Sequence, residues 1–340
     1  MNIVIGTVYQ EKSIGLDFIA FGLLKILFNM SKLKTAIDLI RYNRKILFRT
    51  LYESLRHTKF LRVLSDSAYI KLTYKVYFNK TINLDFPRTF NEKLNWLKLN
   101  YRLPIMKQLV DKYEVKKYVS QRIGEHYVIQ TLGVWENYES IDINSLPEKF
   151  VLKGTHDSSS VILCRDKLTF DLTEYKKQLI KSLSDDLYHW GREWPYKCLK
   201  KRIIAEPLLE DSSGLRDYKF FCFNGKMKCF KIDFDRFVGH RANYYDENLN
   251  LMTIGEVVCP PDFRDYSMPD NLGEMIALAE SLAEGFPFVR VDFYNVQGKI
   301  YFGEMTFYPA AGFGQFTKED DDILLGSWIK LPNQKVKHPL

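Results

Sequence analysis

Two acidic residues, Asp292 in Val-Arg-Val-Asp-Phe-Tyr and Glu304 in Tyr-Phe-Gly-Glu-Met-Thr-Phe, are set in apolar and aromatic runs on either side of Gln297-Gly298. Runs over 288–294 and 299–307 about such a turn predict a β-hairpin, with the two carboxylates on neighbouring strands and able to converge. A carboxylate among apolar neighbours needs a cation or several donors to offset desolvation. Paired acids of this kind suit Mg²⁺, which takes one or two carboxylates together with phosphate oxygens. Arg290, two residues before Asp292, shares its strand face and adds a cation for a phosphoryl group. The plainer reading, two solvated carboxylates on an exposed hairpin, is disfavoured by the apolar flanks.

Lys153 ends the run Lys149-Phe150-Val151-Leu152-Lys153, directly before Gly154-Thr155-His156-Asp157-Ser158-Ser159-Ser160. A cation beside exposed backbone N–H groups at a small-residue turn can cradle phosphate, although the segment is no Walker A motif and Lys-Gly at a turn is common. A lone His156 in a turn reads as a solvated surface group before a base. His189, Trp190 and Trp194 could stack on a sugar ring, but aromatics at such spacing more often belong to a core or lid. Cys164 and Cys222 lie in strand patterns and read as core. The five cysteines show no CxxC pair or metal-ligand spacing, and their odd number fits a reducing cytosol.

Several elements must position these groups. A short helix is expected over 91–100, after the break at Asp85-Phe86-Pro87, and a single helix over 107–122 that stops at Gly124. Strand pairs are expected at 149–153 with 161–164 and at 218–223 with 227–233 about Asn224-Gly225, a further strand at 203–209, and an amphipathic helix over 271–286. Hairpins with intervening helices argue an α+β fold rather than a doubly wound parallel sheet.

The chain has 340 residues, 46% apolar and 15% aromatic, enough for a large core. Its formal charge of +7 is confined to the start: residues 1–62 hold eleven Lys/Arg against four Asp/Glu, and the remainder holds equal numbers of each. That distribution argues against a nucleic-acid groove over the fold. Residues 1–62 read as a basic amphipathic helical region, 63–125 as a helical lead-in and 126–340 as the catalytic core. The basic region could lie on an anionic membrane or pack as a lobe with a solvated face. The most apolar stretch, 14–30, is interrupted by Asp17 and Lys25 and does not read as a membrane span; no signal peptide is recognised at the start.

The order of Lys112, Lys153 with its loop, Ile-Ile-Ala-Glu-Pro-Leu-Leu-Glu at 203–210, Arg-Asp-Tyr-Lys at 216–219, Asp292 and Glu304 resembles the ATP-grasp superfamily. Pro-Arg-Thr-Phe-Asn-Glu-Lys-Leu-Asn-Trp-Leu-Lys at 87–98, Arg-Glu-Trp-Pro-Tyr-Lys at 192–197, Asp-Tyr-Lys-Phe-Phe-Cys-Phe-Asn-Gly-Lys at 217–226 and Phe-Tyr-Pro-Ala-Ala-Gly-Phe-Gly at 307–314 narrow the resemblance to the TupA-like ATP-grasp family of bacterial surface-polysaccharide clusters. It implies an ATP-grasp fold, two α/β subdomains gripping ATP, and a ligase that forms an acyl phosphate and ADP before an amine displaces phosphate.

Carried residue by residue, the resemblance implies Lys112 and Lys153 at the nucleotide phosphates, with Ser159 and Ser160 as further donors. Glu206 and the Leu208 backbone would meet adenine, Asp217 or Glu210 would hold the ribose, and Lys219 a phosphate. Arg290 would steady the transferred group, with Asp292, Glu304 and Thr306 at Mg²⁺. Thr306 departs from the Asn that many ATP-grasp enzymes carry there, and Asp157-Ser158-Ser159 departs from the glycine-rich turn of relatives, so Asp157 must point away from the triphosphate.

The implied partners are ATP, an amino acid or other amine and a uronic-acid glycan, in the cytoplasm or at the inner membrane face, with specificity expected from loops at 191–201 and 237–250. Two other readings stay open: a glycosyltransferase using Asp233-Phe234-Asp235, and a nucleotide-binding module without activity.

Overall fold

The computed structural model describes residues 44–56, 58–157, 160–211, 215–234, 239–264, 266–333 and 336. The chain divides into two compact units between Asp85 and Phe86. In the first, α1 (Arg44–Arg56) and α2 (Asp66–Phe78) are tied by polar side chains. The Tyr52 and Thr73 hydroxyls share a 2.6 Å hydrogen bond, and Arg56 donates to the Tyr77 hydroxyl at 2.7 Å. The apolar stretch 14–30, with most of the basic region, lies outside the described residues. Among those described, no helix is long and apolar enough to cross a membrane.

The second unit opens with α3 (Phe90–Asn100), whose start is fixed by a reciprocal cap between Thr89 and Glu92. The single helix expected over 107–122 is instead two, α4 (Ile105–Val110) and α5 (Val115–Ile123). Asp111 is the reason: its backbone is extended, and its Oδ1 accepts the N–H groups of Tyr113 and Glu114 at 2.9 Å each, capping the second helix. Lys112 therefore sits in the break, where its N–H donates to the Thr155 carbonyl at 2.7 Å.

Next come β1 (Gly133–Trp135), β2 (Phe150–Gly154), β3 (Ile162–Cys164), α6 (Lys176–Ser184), the single turn α7 (Tyr188–Gly191) and β4 (Ile203–Pro207). The four strands pair antiparallel in the order β1-β4-β2-β3. Phe150, Leu152, Ile203 and Ala205 share a core cluster with Leu179 of α6. Alternation along the strands then gives Lys153 and Glu206 to the other face.

The larger sheet contains β5 (Arg216–Phe223), β6 (Lys226–Phe234), β7 (Arg241–Asp246), β8 (Leu251–Met252), β9 (Phe288–Val296) and β10 (Lys299–Thr306), in the order β10-β9-β5-β6-β7-β8. Helix α8 (Leu272–Ala283) precedes β9, and α9 (Glu319–Trp328) follows β10. Both predicted tight turns form, with positive φ at Asn224-Gly225 and at Gln297-Gly298. Phe220, Phe230, Val291, Phe293 and Phe302 make the apolar face and cluster with Met275, Ala279 and Leu282 of α8.

The opposite face is polar, and an irregularity completes it. Phe302 pairs with Phe293, but Glu304 pairs with Asp292, so Gly303 is left as a bulge. Without the bulge Glu304 would oppose Val291 and point to the apolar side. A Cβ at Gly303 would lie 3.1 Å from the Asp292 carbonyl oxygen, so the close strand approach favours glycine.

Candidate active site

The polar face is organised by Arg290. Its Nε and Nη2 grip the two oxygens of Asp292 at 2.7 Å each, and Nη2 also donates to Glu304 Oε1 at 2.8 Å and Thr306 Oγ1 at 3.1 Å. One strand over, the Lys219 ammonium bonds Asp217 and lies 3.3 Å from Asp233 and 3.4 Å from Asp292. Lys231 stands 3.5 Å from Asp233 and 3.0 Å from Glu256. Among the described residues, this cluster sets the five carboxylates of Asp217, Asp233, Glu256, Asp292 and Glu304 against the three cations of Lys219, Lys231 and Arg290.

Burial pushes Asp292 up to about 6 against the pull of Arg290 and Lys219. Burial also opposes ionisation of Glu304, but Lys112, Arg290 and Lys219 prevail and hold it down to about 2. Asp292, Glu304 and Thr306 all reach one nitrogen of Arg290, so their oxygens are close enough to share a partner. Hard oxygen donors with surplus negative charge fit a cation of the Mg²⁺ kind. A second group, Asp233, His240 and Cys259, brings potential ligand atoms within 4.8 Å of one another. It is a poor metal centre, because two ammonium groups already flank Asp233 and burial pushes the Cys259 thiol up to about 12.

On the smaller sheet the balance is reversed. Glu206 is shared by Lys153 at 2.5 Å and Lys116 at 2.7 Å. Burial pushes its carboxyl up, but the two ammonium groups outweigh that and hold it below the usual range. Lys116 also donates to the Ile129 carbonyl and the Thr131 hydroxyl, both at 2.7 Å. No sequence motif marked this lysine.

The loop after Lys153 disposes of its acid internally. Asp157 accepts from the Ser160 N–H at 3.1 Å and the Ser160 hydroxyl at 2.5 Å, and also from the Ser182 hydroxyl. Gly154 N–H donates to Ser160 Oγ at 2.7 Å, and a Cβ on Gly154 would stand 2.5 Å from Ser182 Oγ. The Asp157 charge is thus tied up between the loop and Ser182 of α6, and the Ser160 hydroxyl is tied up within the loop. The Lys112 ammonium bonds the Asp157 carbonyl, and it is the foremost charge holding Glu304 down, so it links this loop to the acidic face. His156, expected at the surface, is buried with Nε2 3.0 Å from the Ser182 carbonyl, and burial lowers its pKa. Ser158 and Ser159 lie outside the described residues.

The loop beyond β10 is strained and held from outside. Ala310 and Ala311 have positive φ (48° and 53°), a costly conformation for residues with a Cβ. Three side chains of α3 at helical spacing hold its carbonyls: Asn91 binds Gly314 at 2.8 Å, Asn95 binds Gly312 at 2.7 Å and Lys98 binds Ala311 at 2.7 Å. Lys98 also binds the Gly191 carbonyl at 2.7 Å, drawing in the 192–197 segment. Within that segment Trp194 is core. Burial pushes the Tyr196 hydroxyl well up, and the charges of Glu193, Glu304 and Asp157 raise it further.

Of the residues read from the sequence, Asp217, Lys219, Arg290, Asp292, Glu304 and Thr306 gather on one sheet face, and Lys153 and Glu206 pair on the other sheet. Glu210 stands apart in solvent, bound to Lys149 at 2.6 Å and Arg165 at 3.3 Å, and Leu208 follows the end of β4. Lys116, Glu193 and Tyr196 join the site without having been singled out. Asp235 lies outside the described residues, and Asp233 is committed to lysines.

The sequence profile of the TupA-like ATP-grasp family matches residues 92–330. The chain belongs to this family. Its α+β sheets with a polar inner cluster are the ATP-grasp fold of that family, and membership makes it an ATP-dependent enzyme that ligates a carboxylate to an amine. Similar solved structures include D-alanine–D-alanine ligase from Bacillus anthracis, 17% identical, covering 65% of this chain and 67% of that one with a TM-score of 0.36. A RimK domain ATP-grasp protein from Sphaerobacter thermophilus DSM 20745 is 11% identical, covering 68% and 70% with a TM-score of 0.37. D-cycloserine synthetase DcsG is 14% identical, covering 77% and 79% with a TM-score of 0.37. No curated protein matches the chain significantly.

Proposed function

We propose that this ATP-grasp ligase uses ATP and Mg²⁺ to join a uronic-acid carboxylate of a capsule, O-antigen or teichuronic-type polysaccharide to the amino group of an amino acid. The observation that carries the phosphoryl-transfer half is the Gly303 bulge, which turns Glu304 to the side of Asp292 and Arg290. A substrate carboxylate oxygen attacks the γ-phosphorus of ATP, and the bond to the β–γ bridging oxygen breaks, giving ADP and an acyl phosphate. An amine then attacks the acyl carbon, and phosphate leaves.

Asp292, Glu304 and Thr306 would hold Mg²⁺, which when bound adds positive charge to the phosphate oxygens. Arg290 steadies the transferred group, and Lys153 and Lys112 bring cations from the smaller sheet and the helix break, so the site works by placement of charge. Glu206, expected at the adenine, is bound to Lys153 and Lys116 and would keep Lys153 in place, while the Leu208 backbone would meet the adenine. Asp217 rather than the solvent-exposed Glu210 suits the ribose, and Lys219 serves a phosphate. The basic segment 14–62 would hold the enzyme at an anionic inner membrane surface, where such glycans are built on lipid carriers. A chain beginning at Val63 should then bind anionic vesicles less well than the full chain, and equal binding would refute that role.

The test of the function is ADP release from ATP and Mg²⁺ in the presence of glucuronate and a mixture of the common amino acids. Release that needs both co-substrates is the expected result. Release indifferent to either one contradicts the reading.

A further inference from the structure

Glu193 has a carboxylate that the phosphoryl chemistry does not use. Among the described residues it has no hydrogen-bond or ion-pair partner. The Cβ position of Gly191 lies 2.9 Å from its Oε1 and 2.6 Å from the Ala311 Cβ, which sets the acid against the strained loop beyond β10. The cation that acts on it, Lys98, is held by the carbonyls of Gly191 and Ala311. The Tyr308 hydroxyl is buried without a partner, and after burial itself Glu193 is the foremost influence on that phenol. Buried polar groups are nearly always satisfied, so the unpaired Tyr308 hydroxyl, with the half-exposed and unpaired Glu193 carboxylate as its foremost charged influence, points to a missing ligand. The ligand that completes them carries hydrogen-bond donors and positive charge. The Tyr196 hydroxyl feels both Glu193 and Glu304.

We propose that Glu193, with Tyr308, receives the ammonium group of the amine substrate and takes its proton; the assignment rests on the ligase reading above. The amine arrives as an ammonium ion and one N–H proton passes to the Glu193 carboxylate, freeing the nitrogen lone pair. The lone pair attacks the acyl carbon, the C–N bond forms, and the C–O bond to phosphate breaks with its electron pair leaving on phosphate. The second N–H proton goes to the departing phosphate, and Glu193 returns its own to water. Among the described residues, the charged and titratable groups that act on Glu193 and Tyr308 are Lys98 of α3, the Arg102 guanidinium and the phenols Tyr101 and Tyr196. Burial pushes the Glu193 carboxyl up to about 7 against the pull of Lys98, a range suited to a base at neutral pH.

The test compares the wild type with Glu193→Gln, which keeps the side-chain size, using ATP, Mg²⁺ and glucuronate with two nucleophiles. Hydroxylamine, neutral at pH 7, traps the acyl phosphate as a hydroxamate without needing a base, whereas amino acids arrive protonated. The expected result in Glu193→Gln is amide formation with amino acids slowed about a hundredfold relative to hydroxamate formation, and loss of the rise in amide rate through pH 7. Equal amide rates in the two proteins overturn the role of Glu193 and leave the ligase intact. Loss of both products in the variant overturns it too, by assigning the residue to the nucleotide half. Absence of both products from the wild type overturns the ligase reading and this inference with it.

Discussion

On the smaller sheet one carboxylate, Glu206, is shared by two lysines, whereas on the larger sheet five carboxylates share three cations. Each cluster is locally unbalanced, in opposite senses. Burying unbalanced charge is costly unless something else neutralises it. A polyanion with a divalent cation has the complementary pattern, phosphates toward the lysines and metal toward the acids, and that complementarity is the physical case for a Mg²⁺–nucleotide site.

Breaking the acidic side should do the most. Asp292→Asn or Glu304→Gln should lower turnover by about a thousandfold, measured as steady-state ADP release, because metal-borne charge on the phosphates is worth several kcal/mol. Glu206→Gln acts on the other side and should be read as stability. It leaves two buried ammonium groups with a neutral partner, costing about 3 kcal/mol in urea unfolding at pH 7.

The pH dependence of that loss has a definite sign. The folded-state pKa of Glu206 lies below its ordinary 4.5, so its contribution is fully present above 4.5 and disappears as pH falls through the lower folded value. The wild type and Glu206→Gln should therefore converge in acid. Lys153→Ala should slow turnover about a hundredfold, the scale of one preorganised charge contact, and Glu206 should then keep Lys116 alone. Gly303→Ala, which crowds the Asp292 carbonyl, should have the smallest effect, about 1 kcal/mol by thermal melting.

The hairpins were legible because Asn224-Gly225 and Gln297-Gly298 supply the positive φ values that tight turns demand. The acid pair was legible in type but not in register. A regular ladder about Gln297-Gly298 sets Asp292 opposite Gly303, and only the bulge turns Glu304 to the polar face, which no local pattern announces. The helix break at Asp111 was missed because apolar periodicity continues across it, and the deciding bonds come from a single side chain. Lys116 and the buried His156 were hidden for another reason: their roles arise from partners far along the chain, Glu206 and Ser182. The segments at 87–98, 192–197 and 307–314 were recognisable as motifs, and the structure gives them a shared task, since Asn91, Asn95 and Lys98 pin the strained loop.

The most direct test is calorimetric titration of ADP into the wild type and Asp292→Asn, each with Mg²⁺ and with EDTA. The account predicts that Mg²⁺ tightens binding at least about tenfold in the wild type, ~1.4 kcal/mol, and that the gain vanishes in Asp292→Asn while binding in EDTA is retained. An undiminished Mg²⁺ gain in the variant would contradict it.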